Sequence, residues 1–109
     1  IAESNNLDQV FIANHGGDHT IYPDCRPEFI NAIDAAATAG TYNNVKVVAP
    51  YTKITKSDIA RIGKKLGIDY TETWSCYKGG EVHCGKCGTC VERKEALAEA
   101  GIDDKTIYE

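Results

Sequence analysis

The sequence contains no methionine and opens on Ile1. Without an initiator residue it reads as the C-terminal part of a longer protein. No apolar run approaches the roughly 18 residues that a membrane-spanning helix needs, and no signal-peptide pattern stands at the N-terminus. Clustered lysine and arginine are also missing: 12 basic against 16 acidic side chains leave a net charge of -4. That balance, with no interleaving of basic and aromatic residues, argues against a nucleic-acid-binding surface. Cysteine is absent from residues 26–75, and the total of five is odd. A closed disulfide framework would pair its cysteines and spread them along the chain, so a reducing, cytosolic setting fits better. With 109 residues and 42% apolar content, the chain is long enough for one small core and one domain.

The other four cysteines crowd into residues 76–90, read as C-Y-K-G-G-E-V-H-C-G-K-C-G-T-C. Cys84, Cys87 and Cys90 stand two residues apart, with Gly85 and Gly88 as small spacers that let a backbone fold tightly round one ion. Zinc, an iron–sulfur cluster and disulfides are all compatible with such a set, and zinc is the reading favoured here. The run resembles the opening of a bacterial ferredoxin motif, but its fourth cysteine lies upstream, at Cys76, and no Cys-Pro follows. A closed four-thiolate site has no position left for water, so a zinc ion there would be structural. His83 is an alternative ligand, though an exposed loop histidine is the expectation for it.

The remainder reads as α/β. Residues 10–13 (V-F-I-A) form a continuous apolar run, expected as a strand buried on both faces. A Gly-, Asp- and His-rich loop follows over residues 14–24. Pro27 and Glu28 then suit the first turn of a helix that buries Phe29, Ile30, Ile33, Ala36 and Ala37 and stops at Gly40. Residues 45–49 are a second strand, closing a right-handed βαβ unit. A second helix is expected from Thr55, with Asp58 as a capping-box partner, Ile59, Ile62 and Leu66 buried, and Gly67 as its end. Residues 68–73 are expected to be extended, residues 91–100 helical, and Ile107 and Tyr108 to be free to pack back.

Loops at the carboxyl ends of parallel strands are where open α/β sheets hold ligands. Asp18 or Asp24 can accept two N–H groups of a guanine-like edge, and Arg26 can hold a carboxylate or phosphate bidentately. Tyr22 lies in the same loop. Cys25, just before the helix, is expected as a small packed residue rather than a reactive thiol. Thr52, Lys53, Thr55 and Lys56 follow the second strand, where a cap and solvated charge outweigh a phosphate contact. Trp74 and Tyr77 flank Ser75 and Cys76, placed either to stack a heterocycle or, as is commoner, to cover the cysteine loop.

Four segments carry a resemblance: Y-P-D-C-R-P-E-F-I (residues 22–30), T-K-S-D-I (55–59), T-W-S-C-Y-K-G-G (73–80) and H-C-G-K-C-G-T-C-V-E-R-K (83–94). Together, and in this order, they resemble the C-terminal half of the 7-cyano-7-deazaguanine synthase family. The resemblance implies that residues 1–109 are the C-terminal portion of a single Rossmann-like domain of the adenine-nucleotide-alpha-hydrolase (PP-loop) class, with Cys76, Cys84, Cys87 and Cys90 as ligands of a structural zinc. It implies ATP- and Mg-dependent conversion of 7-carboxy-7-deazaguanine and ammonia to the nitrile, on the way to queuosine or archaeosine, in a cytoplasmic homo-oligomer. It also implies substrate contacts from Asp18, Tyr22, Asp24, Arg26, Lys56, Trp74 and Ser75. The family's N-terminal S-G-G-x-D-S phosphate loop is absent; Gly16-Gly17-Asp18 only echoes it. These 109 residues alone are therefore expected to bind ATP poorly and to lack turnover. The competing readings are a zinc-bearing binding module and another PP-loop ATPase acting on tRNA.

Overall fold

The first regular pairing joins strand β1 (Gln9–Phe11) to strand β2 (Lys46–Val48), in parallel, with Gln9 opposite Lys46 and Phe11 opposite Val48. Hydrogen bonds from Ile12 N to Val48 O and from Lys46 N to Asp8 O, both 2.9 Å, extend the ladder at its ends. In this computed structural model, which describes residues 1–109, the chain gathers into two compact units, Ile1–Thr55 and Lys56–Glu109. No helix is long and apolar enough to cross a membrane.

In the first unit, helix α1 (Pro27–Gly40) starts with Pro27 in its first turn, as the sequence predicts, and forms the crossover between the parallel strands. Its packed side is narrower than the apolar stripe suggests. Ile30 is buried, whereas Phe29, Ile33 and Ala36 are exposed. The positions towards β2 are partly polar for a reason: Asp34 Oδ1 accepts a hydrogen bond from Val47 N at 2.8 Å, satisfying a strand N–H that would otherwise be orphaned. The helix ends at Gly40, as expected, and Thr41 caps it, its Oγ1 donating to Ala37 O and accepting from Val45 N, each at 2.8 Å.

The strands are shorter and more exposed than predicted. Val10 and Phe11 are 43% and 65% exposed. A parallel strand is buried on both faces only when a layer covers each, and α1 is the helix packed against β2.

The second unit is built on helices α2 (Lys56–Lys65) and α3 (Gly88–Glu99). The buried side of α2 carries Ser57, Ala60 and Gly63; of the predicted residues Ile59 and Ile62 are half-buried and Leu66 is 73% exposed. The reason is close approach. Tyr70 donates its hydroxyl to Ala60 O at 2.7 Å, and a Cβ on Gly63 would lie 2.2 Å from that hydroxyl. Gly67, at φ +78°, ends the region as expected. Residues 70–72 form a 3-10 turn in place of an extended segment, because Asp69 Oδ1 accepts from both Thr71 N (2.9 Å) and Thr71 Oγ1 (2.7 Å) and pulls the chain round. Helix α3 begins inside the cysteine loop with Cys87 at its N-cap. At the C-terminus Tyr108 packs back and Ile107 stays exposed.

Candidate metal centre and adjoining cavity

Four sulfurs converge in the second unit. The Sγ atoms of Cys76, Cys84, Cys87 and Cys90 lie within 4.8 Å of one another, and all four are free thiols. Tetrahedral zinc with Zn–S bonds of about 2.3 Å places its sulfurs roughly 3.8 Å apart, so the cluster needs only a small contraction to hold such an ion. Cys76, Cys84 and Cys90 are buried and Cys87 is half-buried. Backbone N–H groups already point at the sulfurs, Cys84 N at Cys76 Sγ (3.4 Å) and Cys87 N at Cys84 Sγ (3.3 Å). Such donors stabilise bound thiolates.

The thiols differ in acidity. The Thr89 hydroxyl, followed by the Tyr77 and Cys90 backbone N–H groups, lowers Cys87 to about 5. Cys84 is lowered by the Lys86 and Cys87 backbone N–H groups. Burial, with the neighbouring thiols, pushes Cys90 up to about 12. A metal cation reverses that last preference, because it replaces the proton that burial retains. The four cysteines can therefore hold a metal ion such as zinc.

His83 is where sequence reasoning fails. It is buried rather than exposed, and it is no ligand: its Nε2 accepts from Ser75 N at 3.1 Å. Its ring lies 4.2 Å from the Trp74 ring and edge-on to Tyr108 at 5.8 Å. His83 thus ties the start of the cysteine loop to the C-terminal tail, which also bridges to it through Glu109 N to His83 O at 2.9 Å. Lys94 adds a contact to Gly85 O at 3.0 Å while its ammonium sits 4.1 Å from the centre of the Tyr108 ring.

The tail is fixed by one carboxylate. Asp104 accepts from Thr106 N at 3.0 Å and from the Tyr108 hydroxyl at 2.5 Å. Burial would raise its carboxyl, but the hydrogen bonds from Thr106 and Tyr108 outweigh it and hold it below its ordinary value. A lowered folded value stabilises the fold above the unfolded carboxyl value of about 4, and that contribution disappears as pH falls through the lower folded value. Asp104→Asn is expected to cost about 1 kcal/mol at neutral pH, a drop in melting temperature of roughly 4–8 °C. The gap between wild type and variant should close in acid. Thermal melts of both proteins from pH 7 downwards check this, and parallel profiles would refute it.

Beside the metal centre the second unit has a cavity of about 350 Å³. Trp74, Tyr70 and Tyr77 form aromatic walls, Thr73, Ser75 and Thr89 supply hydroxyls, and Lys56 and Arg93 supply cations. Trp74 is held by its Nε1–H, which donates to Cys76 O at 2.8 Å, and half of its surface remains exposed. Lys56 pairs with Glu92. Three residues that the sequence singles out, Lys56, Trp74 and Ser75, thus meet in one cavity. Arg93 was not singled out; only its three-residue spacing from Cys90, which puts both on the inner side of α3, hinted at its burial.

The other four named residues lie in the first unit. Asp18 closes a 3-10 turn and sits 3.1 Å from His15 Nε2, while His15 Nδ1 accepts from Gly17 N at 3.2 Å. Gly16 sits in a tight spot, since its N donates to Ile54 O at 2.8 Å and an added Cβ would meet that oxygen at 3.2 Å. Tyr22, Asp24 and Arg26 are exposed, and Arg26 donates from Nε to His19 O at 2.7 Å. The organiser of this loop is Asn14, whose Nδ2 donates to Cys25 O (2.8 Å) and Thr52 Oγ1 (3.2 Å). Thr52 is therefore a buried structural partner rather than a surface cap. Burial, then Asp24 and Asp18, raise the Cys25 thiol, in keeping with an unreactive packed residue.

A family model described as "Queuosine biosynthesis protein QueC" matches residues 1–101. A 7-cyano-7-deazaguanine synthase of Porphyromonas gingivalis is 66% identical over 109 residues, which are 100% of this chain and 50% of that protein. Proteins of the same name from Rhizobium johnstonii (52% identical, 47% of its length covered) and Brucella anthropi (50% identical, 48% covered) also match across 100% of this chain. The chain spans about half the length of the curated relatives it matches.

Proposed function

The chain belongs to the family of queuosine biosynthesis protein QueC, and from that premise we propose that it is the metal-loop half of a 7-cyano-7-deazaguanine synthase. The reaction is the ATP- and Mg-dependent conversion of 7-carboxy-7-deazaguanine and ammonia to the nitrile. Activation precedes ammonia attack because a carboxylate is a poor electrophile without a good leaving group. The architecture is a Rossmann-like PP-loop domain, to which the parallel βαβ unit is suited. The protein works in the cytoplasm as a homo-oligomer, with no direct contact to nucleic acid or membrane.

Zinc is the metal, held by Cys76, Cys84, Cys87 and Cys90. With all four positions taken by thiolates it is structural, and the chemistry lies elsewhere. The observation that carries the substrate reading is the cavity in which Trp74, Ser75 and Lys56 converge next to that centre. Its volume suits a bicyclic base, and Trp74 offers a face for stacking. Asp18, Tyr22, Asp24 and Arg26 are the contacts proposed from the first unit.

Titration calorimetry of the full-length protein with 7-carboxy-7-deazaguanine tests this reading. Saturable binding at one site per chain is expected, weakened by Trp74→Ala. No heat of binding from a zinc-loaded, folded protein would sink the reading.

A further inference from the structure

Arg93 is a buried cation without an anionic partner. It is 7% exposed, and its guanidinium makes five contacts, all to neutral oxygens. Nε and Nη2 reach Thr106 Oγ1 at 3.2 and 2.8 Å, Nη2 also reaches Tyr70 O, and Nη1 reaches Thr73 Oγ1 at 2.7 Å and Ser75 Oγ at 3.4 Å. No ion pair includes it; the acids of the second unit that do pair are Glu92, with Lys56, and Asp58, with Arg61. Asp104 feels its charge, but from outside ion-pair distance. Removing a guanidinium from water costs several kcal/mol unless an opposite charge repays it.

The cavity it lines is one-sided in charge. Lys56 and Arg93 stand in the wall and no carboxylate does, in a protein of net charge -4. Ser75 lines the same cavity beside Arg93. Its hydroxyl oxygen receives the guanidinium N–H, while its backbone N–H is engaged by His83, which fixes the residue's orientation. A hydroxyl that accepts from a cation is polarised and becomes a better donor, and its own hydrogen is not consumed by these contacts.

We propose that Ser75, polarised and positioned by Arg93, reads the carboxylate of a planar ligand held against Trp74, so that this cavity selects an anionic group over its neutral counterpart. This rests on the substrate reading above and adds to it the residue that sets specificity. Arg93 acts through Ser75 and through its field, since its own N–H groups are already engaged, and is a positioning residue. The anion can come from the base or from the phosphates of a nucleotide, and the cavity volume favours the base.

The test is calorimetric, on full-length zinc-loaded protein, with three probes: 7-carboxy-7-deazaguanine, its neutral 7-carboxamide counterpart, and ATP. Ser75→Ala is expected to weaken the carboxylate about ten-fold, the carboxamide no more than about three-fold, and ATP not at all, because hydrogen bonds to charged groups are worth roughly twice those to neutral ones. Arg93→Lys, which keeps charge but loses the planar fork, should reproduce that change in preference. Circular dichroism and zinc content report whether it folds, and if it does not, Ser75→Ala decides alone. Equal weakening of both bases by Ser75→Ala, or a selective loss of ATP binding, overturns the inference and leaves the substrate reading standing. Binding of neither base to the folded wild type overturns both.

Discussion

Cys87→Ala is expected to release the metal and unfold the second unit. The little core there is the metal site itself: the buried cluster is Cys76, Cys84 and Cys90, with Cys87 and Tyr108 packed against it. The other buried apolar residues of that unit, Ala60, Ala96 and Leu97, are few and mostly small. A structural zinc contributes on the order of 10–16 kcal/mol in small domains, which matches or exceeds the roughly 5–15 kcal/mol that holds a whole domain together. Losing one of four thiolates therefore removes more stability than the unit has to spare. Circular dichroism should show loss of the helical signal of α2 and α3, and metal analysis should show zinc falling from one per chain towards zero. Chelation of the wild type should reproduce the change. Cys25→Ala is the control, since Cys25 lies outside the cluster, and it should keep both zinc and helix. A Cys87→Ala protein that stays folded would show that the loop is not a structural clamp.

The same site predicts a pH response. Protons compete with the metal for the thiolates, so affinity falls as pH falls. Cys90, pushed up to about 12 by burial, must lose its proton on binding at neutral pH, whereas Cys87, at about 5, is already a thiolate. Proton release on metal loading therefore comes from Cys90 rather than from Cys87.

How far these features could be read in the sequence depended on whether their cause is local. The start of α1 at Pro27, the turn at Gly67 and the convergence of four closely spaced cysteines are set by neighbouring residues, and all three appear where expected. Burial is not local. Val10 and Phe11 look like a fully covered strand, yet coverage depends on which layers pack upon them. Leu66 looked buried by periodicity, but Tyr70 and Gly63 draw a different face of α2 inwards. His83 and Arg93 are polar residues whose burial follows from partners eight to twenty-three positions away, Ser75 at one end and Tyr70 at the other. No periodic pattern announces such pairings. The cavity assembled by Lys56, Trp74, Ser75 and Arg93 is likewise a product of α2, α3 and the segment between them, which no single motif contains.

Arg93→Met should be the most destabilising change that leaves the metal in place. Methionine keeps the apolar stem and the volume, so the loss is confined to the guanidinium contacts. Those contacts join four segments: the turn at Tyr70, Thr73 at its exit, Ser75 at the mouth of the cysteine loop, and Thr106 in the tail. Tyr70 O loses its charged donor, and the three hydroxyls must turn elsewhere or remain unpaired. Removal of the buried charge returns part of its desolvation cost, which keeps the net loss to about 3 kcal/mol rather than the sum of five bonds. The melting temperature should fall by roughly 10–20 °C with zinc content unchanged. The tail should suffer first, because Thr106 and Arg93 hold it from one side and Asp104 and Tyr108 from within. Limited proteolysis should therefore cut residues 102–109 of Arg93→Met well before it cuts wild type. A melting temperature within about 2 °C of wild type, with an uncut tail, would mean that the neutral oxygens around Arg93 are satisfied without it.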